Sequence, residues 1–334
     1  ANLESKLQSD KNFRQLWNQF NNLETLEVEL EWSSDEASRV IGGKILSEYG
    51  LSNKFIIGGS ADLAASTKQI ISDNTFGSNN YGGNSIEFGI REHAMGGIVN
   101  GLALHSKLIP YGSTFLVFSD YMRPSMRLAS LMKVNSLFIF THDSIYLGED
   151  GPTHQPVEHL MSLRLIPNLD VIRPSNSKEL IHSYRYALEK RDNPIAIILS
   201  RQNMKFFDQD LSYKDFQTGA YEFRQGTDIT LVATGSEVEL ALEISTKLSD
   251  FSVQIISAPI LNRLSEERLE SLGLSQNIFT IELGRTIGWD TYIKNIKKSF
   301  SIDSFGESAP IDQLAEKFNF SAEKISNEIR SLLT

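Results

Sequence analysis

Short apolar runs alternate with segments of helical spacing along most of this chain. The runs at 55–59, 136–140, 170–175 and 195–200 predict buried strands. Helical spacing separates them, for example in DEASRVIGGKILSEYG (35–50), which has an acidic first turn and ends on a glycine. The alternation predicts an α/β fold in which helices cover both faces of a mainly parallel sheet.

The pattern loosens over residues 206–222 and then starts again. Three further apolar runs follow, with helical segments between them: DITLVATG, SVQIISAP and NIFTIEL. We therefore predict a first domain over residues 31–205, a linker over 206–222 and a second, smaller α/β domain over 223–334. Residues 1–30 are predicted to form a polar helical linker or tail.

The segment GIREHAMGGIVNGLALH (89–105) is apolar or small on nearly every face, which predicts a helix that is buried all round. Its glycines lower helix propensity, so close packing against another element is expected to compensate. Glu92 lies near the helix start and has two interpretations. It is either an acid favoured by the helix dipole or a desolvated carboxyl that exchanges a proton with a bound ligand.

Composition limits the classes of function. A chain of 334 residues suggests two domains of about 150 residues each. The net charge of -10 argues against nucleic acid or an anionic membrane as the main partner. The absence of cysteine excludes disulfides, zinc thiolates and a cysteine nucleophile. No apolar run approaches about 20 residues and the first residues lack a signal-peptide pattern, so the cytoplasm is the expected location.

Polar side chains follow three of the predicted strands. Asp62 comes after the first of these strands, His142 after the second and Arg201 after the last. Ligands of open α/β sheets bind beyond the carboxyl ends of the strands, so these residues are expected to converge at one sheet edge. Arg201 is either half of a structural ion pair or a fork for a phosphate.

The stretch THDSIYLGEDGPTHQP (141–156) follows one of these strand ends. A metal site is disfavoured there because His154 and His159 are five residues apart, and no HExxH spacing occurs. A polar loop remains possible, but a clamp or proton relay for a hydroxylated or phosphorylated substrate fits better. Just upstream lies an aromatic stripe, which is either core or a wall for a flat ring: Phe115, Phe118 and Tyr121.

At these residues the chain closely resembles the C-terminal half of transketolase, a thiamine-diphosphate enzyme. The resemblance rests on motifs that occur in order: IIGGSADLAAS, FGIREHAMGGIVNGLALH, PYGSTFLVFSDYMRPSMRLASL, THDSIYLGEDGPTHQPVEHLMSLRLIPNL, RPSN and LSRQN. It runs from Arg39 to Arg201 and continues more loosely through LVATGSEVELAL and FGESAP. It implies a pyrimidine-binding domain followed by a Rossmann-like transketolase C-terminal domain.

The resemblance also implies cofactor contacts. Glu92 matches the glutamate that hydrogen-bonds the aminopyrimidine N1′ and shifts the cofactor to its imino tautomer, a catalytic role. Phe118 matches the aromatic residue stacked on the pyrimidine, and Phe115 and Tyr121 line the same pocket. Asp62 matches an acid close to the cofactor.

Other matches concern the substrate. Those implied to hold the sugar phosphate are Arg39, Ser66 and Arg201. His142 and Asp150 match contacts to substrate hydroxyls, and His154 matches a further active-site histidine with a catalytic role. One position departs from the family, which usually has glycine after THDSI where this chain has Tyr146.

The implied reaction is the reversible transfer of a two-carbon ketol unit from a ketose phosphate to an aldose phosphate, as in the pentose phosphate pathway. The implied sugars are xylulose 5-phosphate, ribose 5-phosphate and erythrose 4-phosphate. The GDG signature of the diphosphate-binding half is missing, since EDG at 149–151 lies in the substrate loop. We therefore expect Mg²⁺ or Ca²⁺ to be held by that N-terminal half and no metal by this chain.

An assembly with the missing half is therefore expected, as a homodimer or a heterotetramer, and the chain alone is expected to be inactive. Three alternatives stay open. Two are other thiamine-diphosphate enzymes: the β subunit of a 2-oxo-acid dehydrogenase and a deoxyxylulose-phosphate synthase. The third is a non-catalytic binding module, against which the retained Glu92, His142, Asp150 and Arg201 argue.

Overall fold

The computed structural model describes residues 2–21, 35–105, 107–190, 192–205, 207 and 209–333. In this part of the chain two five-stranded sheets, each flanked by helices, form two α/β domains. The predicted fold class is confirmed. Two helices precede the first domain, α1 (Leu3–Ser9) and α2 (Lys11–Asn21). Residues 22–30 of the predicted tail lie outside the described residues.

The first domain contains a sheet in which every strand is parallel to its neighbours. Its strands are β2 (Ile56–Ser60), β3 (Ile109–Phe115), β4 (Leu137–Thr141), β5 (Asp170–Ile172) and β6 (Ile195–Leu199), in the order β2-β3-β4-β6-β5. Its helices are α3 (Ser38–Ser52), α4 (Ala64–Thr67), α5 (Glu92–His105), α6 (Ser119–Met132), α7 (His159–Arg164) and α8 (Ser177–Glu189). A short antiparallel pair joins β1 (Glu36–Ala37) to β7 (Asn203–Met204).

The second domain repeats the plan with one antiparallel edge. Its strands are β8 (Tyr221–Arg224), β9 (Ile229–Ala233), β10 (Val253–Ser257), β11 (Ile278–Ile281) and β12 (Ile296–Phe300), in the order β12-β11-β9-β10-β8. Only β8 runs antiparallel to its neighbour in this sheet. The helices are α9 (Tyr213–Gln217), which precedes β8, then α10 (Glu237–Lys247), α11 (Glu266–Leu272), α12 (Ile311–Lys317) and α13 (Ala322–Leu333).

The predicted linker contains regular structure where it is described. Residues 206 and 208 lie outside the described part of the chain. Helix α9 lies within the segment, and its Phe216 is buried in the core of the first domain. Strand β8 begins at Tyr221, within the predicted linker. The domain boundaries remain predictions.

Strand β3 was not predicted from the sequence, although it is a central strand of the first sheet. Its sequence IPYGSTF contains proline, glycine and serine, which are signals of turns rather than of buried strands. All seven residues are nevertheless buried. At Gly112 an added Cβ would lie 2.9 Å from Cγ of Met95, so the glycine lets α5 pack closely on the strand.

The prediction that α5 is buried all round is wrong for the described chain. One face packs against β3 and α6, and Gly96 fits there because an added Cβ would lie 2.8 Å from that of Ser125. The opposite face is exposed, with Ile98 at 47% and Leu104 at 60% exposure. Apolar composition alone did not distinguish a core face from an apolar face that is open in this chain.

Buried ion pairs hold the two domains against each other. Arg164 at the end of α7 donates two hydrogen bonds of 2.7 Å to the two carboxylate oxygens of Glu282, which follows β11. Both side chains are fully buried. Thr234 donates to the same carboxylate at 2.6 Å. The paired charges fix the second domain relative to the first. Within the described residues, no helix is long and apolar enough to cross a membrane.

Candidate active site

Two serines place two arginines side by side at the carboxyl edge of the first sheet. Ser38 begins α3 and Ser200 follows β6. The backbone N–H of Ser200 donates to Oγ of Ser38 at 2.7 Å, and the N–H of Ser38 donates to Oγ of Ser200 at 3.2 Å. Each serine is followed by an arginine, Arg39 or Arg201. The antiparallel pairing of β1, just before Ser38, with β7, shortly after Ser200, extends this contact.

The two arginines repel each other. Burial, and then the charge of Arg201, lower the pKa of Arg39 below its ordinary value. Arg39 donates through Nη1 to the backbone carbonyl of Ser66, while its buried Nε has no hydrogen-bond partner among the described residues. Neither arginine forms an ion pair with a carboxylate in the described part of the chain. Unpaired guanidinium groups at a strand end favour binding of an anion such as a phosphate.

His142 lies between these arginines and the aromatic residues. It follows β4, is 5% exposed, and its Nδ1 lies 2.7 Å from the hydroxyl of Thr141. Burial, then the charges of Arg39 and Arg201 and of His154, lower the pKa of His142 to about 3. The imidazole is therefore neutral near pH 7 and can donate one hydrogen bond and accept another.

The predicted aromatic stripe forms a wall beside His142. The rings of Phe115 and His142 stack with centroids 3.7 Å apart, and Phe118 lies nearly parallel to Phe115 at 5.8 Å. His154 meets Phe118 edge-on at 5.5 Å. Tyr121 contacts Phe118 at 6.1 Å but is 66% exposed. Phe115 ends β3 and Phe118 ends a 3₁₀ turn, so the wall depends on the strand that the sequence did not reveal.

The loop that carries Asp150 and His154 is supported by the second domain. Buried Gln155 donates through Nε2 to the carbonyls of Ile145 at 3.1 Å, Gly148 at 2.8 Å and Glu307 at 2.9 Å. The hydroxyl of Ser308 donates to the carbonyl of Glu149 at 2.5 Å. The side chains of Asp150 and Ser66 have no hydrogen-bond partner among the described residues. Asp150 is exposed, and no described contact joins it to the aromatic wall.

Glu92 is the first residue of α5 and is buried. Because α5 connects two parallel strands, its first turn lies at the carboxyl edge of the sheet, as His142 and Phe115 do. Its carboxyl forms no hydrogen bond or ion pair with any side chain in the described part of the chain. A buried carboxyl without a protein partner is available to a ligand.

Asp62 lies in a neighbouring cavity rather than against the aromatic wall. The cavity has a volume of about 750 Å³, and Ser60, Gly89 and Arg91 line it together with Asp62. Asp62 has a backbone φ of +61°, a left-handed conformation that aspartate tolerates better than most residues. The geometry therefore groups Arg39, Arg201, His142, His154 and the phenyl rings, and sets Asp62 to one side.

Tyr146 points away from the wall. Its hydroxyl donates to the backbone carbonyl of Phe320 at 3.2 Å, and its ring packs on the core of the second domain. Burial, and then the charge of Glu237, raise the pKa of Tyr146 above its ordinary value. The residue that replaces the family's usual glycine thus contacts the other domain.

Among the described residues, one group of side chains has metal-ligand spacing. Asp120, Glu158 and His159 offer ligand atoms within 4.8 Å of one another. Nε2 of His159 lies 3.2 Å from Oδ2 of Asp120, a direct contact between the two side chains. The expectation that this chain supplies no metal ligand remains a prediction.

The sequence did not indicate the buried side chains that hold the loop of the site in place. Asp143 and Gln155 lie in the loop motif THDSIYLGEDGPTHQP and Arg173 in RPSN, but these motifs do not indicate what the three side chains bind. Their partners lie up to 152 residues away in the sequence. The available signal was a buried arginine directly after an apolar strand, because a charge at such a position requires a partner.

Family models match both domains. The model described as transketolase, pyrimidine binding domain, matches residues 37–206. The model described as transketolase-like TK C-terminal domain matches residues 219–321. The first match alone covers about half of the chain.

Relatives and solved structures agree with these matches. The transketolase of Staphylococcus aureus (strain MRSA252) is 41% identical over 316 residues, which are 90% of this chain and 48% of that protein. A transketolase of Pichia stipitis, solved in complex with sedoheptulose-7-phosphate, superposes with a TM-score of 0.89 at 32% identity. This match covers 98% of this chain and 51% of that one. The chain spans about half the length of the curated relatives it matches.

A second solved structure has nearly the same span as this chain. It is described as a split gene transketolase, an inactive β4 tetramer. It is 25% identical with a TM-score of 0.74, and the match covers 90% of this chain and 99% of that one. Together with the family models, these similarities show that the chain belongs to the transketolase family, whose pyrimidine-binding and C-terminal domains it contains.

Proposed function

We propose that this chain supplies half of a transketolase active site. With a diphosphate-binding half, it catalyses the reversible transfer of a two-carbon ketol unit from a ketose phosphate to an aldose phosphate. Xylulose 5-phosphate is the proposed donor, and ribose 5-phosphate and erythrose 4-phosphate are proposed acceptors. The reaction belongs to the pentose phosphate pathway in the cytoplasm, and neither nucleic acid nor a membrane is a proposed partner.

The observation that carries this proposal is the unpaired positive charge next to a neutral histidine. Burial, and then the charges of Arg39 and Arg201, depress the pKa of His142, and neither arginine has a carboxylate partner within the described residues. A phosphate between the two guanidinium groups would relieve their repulsion. Ser66, whose carbonyl accepts from Arg39, is proposed to contact the same phosphate. The sugar hydroxyls would then lie near His142, which can donate and accept hydrogen bonds.

The residues present fit the aminopyrimidine half of thiamine diphosphate. Phe115 and Phe118 offer nearly parallel rings, at an interplanar angle of 7°, and Glu92 offers a buried carboxyl without a protein partner. Tyr121 is proposed to line the outer part of this site, and Asp62 to approach the cofactor from the neighbouring cavity. When bound, thiamine diphosphate supplies a carbon nucleophile and an electron sink for cleaving the bond next to a ketose carbonyl.

The chain's own groups then have separate roles. Glu92 is proposed to hold and move a proton at the pyrimidine ring, which is a catalytic role. His154 is proposed to move a proton at the substrate oxygens from its place against Phe118. His142 and Asp150 are proposed to orient the substrate hydroxyls, and Arg39 and Arg201 to fix the phosphate end.

The remaining half of the site is proposed to come from another chain or segment. The chain spans about half of its curated relatives, and the split gene neighbour of similar span is described as inactive in its β4 tetramer. The exposed apolar side chains on and next to α5 and α6 suit a partner surface: Ile98, Leu104, Leu128, Leu131 and Leu165. We propose a homodimer or a heterotetramer, with Mg²⁺ or Ca²⁺ bound by the diphosphate-binding half and no activity in this chain alone.

Reconstitution tests the proposal. The chain is mixed with a diphosphate-binding half, thiamine diphosphate and Mg²⁺, and assembly is verified by size-exclusion chromatography. Transfer from xylulose 5-phosphate to ribose 5-phosphate is then measured, with pyruvate as the alternative substrate. We expect transfer only in the complete mixture. No turnover from a folded and assembled mixture, or turnover of pyruvate alone, would contradict the proposal.

A variant makes the test specific for the phosphate site. Arg201→Gln is expected to raise KM for ribose 5-phosphate at least tenfold while KM for an unphosphorylated acceptor changes little, since a charge-assisted pair contributes about 1.5–3 kcal/mol. The matched control is Lys54→Gln, which removes an exposed positive charge in the turn before β2. Equal effects on both acceptors would contradict the assignment of Arg201.

A further inference from the structure

Arg173 is a buried arginine where the two domains meet. It follows β5, and its Nε and Nη2 donate to Oδ2 of Asp143 at 3.0 and 2.7 Å. On its other side Arg173 binds both carboxylate oxygens of Glu237: Nη2 donates to Oε1 at 3.0 Å and Nη1 donates to Oε2. Nη1 also donates to the backbone carbonyl of Thr234 at 2.9 Å. One guanidinium thus joins a carboxylate of the first domain to a carboxylate of the second.

Arg173 stays charged in this junction. Burial lowers the pKa of Arg173, but Glu237 and Asp143 more than offset that effect and raise it above its ordinary value. Glu237 is held independently, because its Oε2 accepts from the N–H of Leu283 at 3.1 Å and its Oε1 from the hydroxyl of Ser236 at 2.7 Å. The position of Asp143 is therefore set from a fixed point in the second domain.

Asp143 directly follows a residue with a left-handed backbone, His142. His142 has a φ of +61°, a left-handed conformation that costs energy for a residue with a side chain. Such a conformation persists where its surroundings over-determine it. Stacking on Phe115 holds the ring of His142, and Arg173 holds the residue after it.

We propose that Arg173 is a positioning residue for His142. Anchored by Glu237, it holds Asp143, so that His142 keeps its left-handed backbone and its ring stays in the wall. The second domain, which supplies none of the candidate site residues, thereby sets the geometry of a substrate contact. The catalytic consequence rests on the proposed function, whereas the effect on the conformation of His142 does not.

The experiment uses two variants and one matched control in the full chain. Glu237→Gln keeps the shape of the side chain that binds Arg173 and removes its charge. Arg173→Lys keeps the positive charge and removes the guanidinium group that binds both carboxylates. The control is Arg263→Lys. Arg263 pairs with Asp170 through bonds of 2.7 and 2.8 Å and joins the same two domains, but at the opposite end of β5.

The first readout is the protonation of His142 between pH 7 and pH 5, followed by NMR of histidine-labelled protein and assigned with His142→Gln. The charged groups facing His142 are Arg39, Arg201 and His154. In the wild type the ring is expected to stay neutral throughout this window, since its pKa is about 3. In Glu237→Gln and Arg173→Lys the released ring is expected to titrate within the window, and in Arg263→Lys it is expected to stay neutral.

The second readout is catalysis in the reconstituted enzyme. For Glu237→Gln and Arg173→Lys, kcat/KM for the ketose donor is expected to fall by about tenfold to a hundredfold, as displaced catalytic contacts do, without a change in affinity for thiamine diphosphate. If the wild-type mixture is inactive, the proposed function fails and the NMR readout still decides the role of Arg173.

The proposal is overturned if His142 stays neutral in both folded variants. It is also overturned if His142 titrates in Arg263→Lys as it does in the two variants. Any loosening of the contact between the domains would then be enough to change the pKa of His142. If Arg173→Lys fails to fold, Glu237→Gln alone tests the proposal. This variant is expected to fold because the charge of Arg173 is still paired with the carboxylate of Asp143.

Discussion

The rings of Phe115 and His142 stack with centroids 3.7 Å apart and planes inclined at 29°. Phe115 ends β3 and His142 follows the neighbouring strand β4, so the contact depends on the parallel register that pairs Phe115 with Thr141. The stack covers one face of the imidazole, and burial, followed by the charges of two arginines, opposes its protonation. His142 is thereby kept as a neutral side chain in the site.

Acidification is expected to destabilise the protein through His142. The unfolded chain binds a proton there near the ordinary value of 6.5, whereas the folded chain binds it only near pH 3, so stability is lost as pH falls through this window. Between pH 7 and pH 5 the loss from this residue is about 2 kcal/mol. Urea denaturation of the wild type and His142→Gln at both pH values measures it. Equal losses in the two proteins would show that His142 does not carry the effect.

Inorganic phosphate is expected to stabilise the isolated chain. An anion between Arg39 and Arg201 binds the folded state only, and each kcal/mol gained raises Tm by about 2–4 °C. Thermal denaturation with phosphate, compared with chloride at equal ionic strength, measures the shift. Arg201→Gln should abolish it and Lys54→Gln should retain it. A shift that survives in Arg201→Gln would place the anion elsewhere.

Gln155→Leu is expected to destabilise the protein by about 2–4 kcal/mol, since three carbonyls, two of them on buried residues, lose their shared donor. Those carbonyls belong to Ile145, Gly148 and Glu307. Equilibrium urea unfolding gives the difference. The matched control Gln313→Leu changes an exposed residue of α12 and should stay within about 0.5 kcal/mol of the wild type. A small effect at Gln155 would mean that water replaces its bonds.

Tyr146→Phe is expected to cost about 1 kcal/mol of stability, the typical contribution of one hydrogen bond, because the bond to the Phe320 carbonyl is lost. Since the side chain packs on the second domain, the relative kcat/KM for different ketose donors should not change in the reconstituted enzyme. Denaturation and competition assays measure the two effects. A changed donor preference would place Tyr146 in the substrate site after all.

Glu92→Gln is expected to lower kcat of the reconstituted enzyme by about a hundredfold or more, since the amide cannot transfer the proton. Folding should be retained because no described side chain pairs with this carboxyl. Steady-state kinetics, with circular dichroism as the check on folding, tests this. Glu48→Gln, at an exposed position of α3, serves as the control. Activity near that of the wild type would remove Glu92 from the proton transfer.

The alternation of strands and helices could be predicted from the sequence. From it followed the sheet edge at which His142 and Arg201 both lie. The sequence did not reveal β3, because Pro110 and Gly112 are residues typical of turns. In the structure they lie in a strand that pairs with a neighbour on each side, and α5 packs closely on it. The sequence also did not reveal which face of α5 is open, since apolar composition is the same for a core and for a partner surface. Arg173 could not be placed because both of its carboxylate partners come from distant segments.

The support of the loop at 148–155 has a consequence for how the protein is made. Its partners in 305–310 are translated about 150 residues later, as the separation of 152 between Gln155 and Glu307 shows. Domains generally fold in order of synthesis, so the first sheet can assemble while this loop still lacks its final contacts. Contacts of such long sequence separation form slowly. A ribosome-bound chain that stops before 305 would therefore have its sheet but not a finished substrate loop.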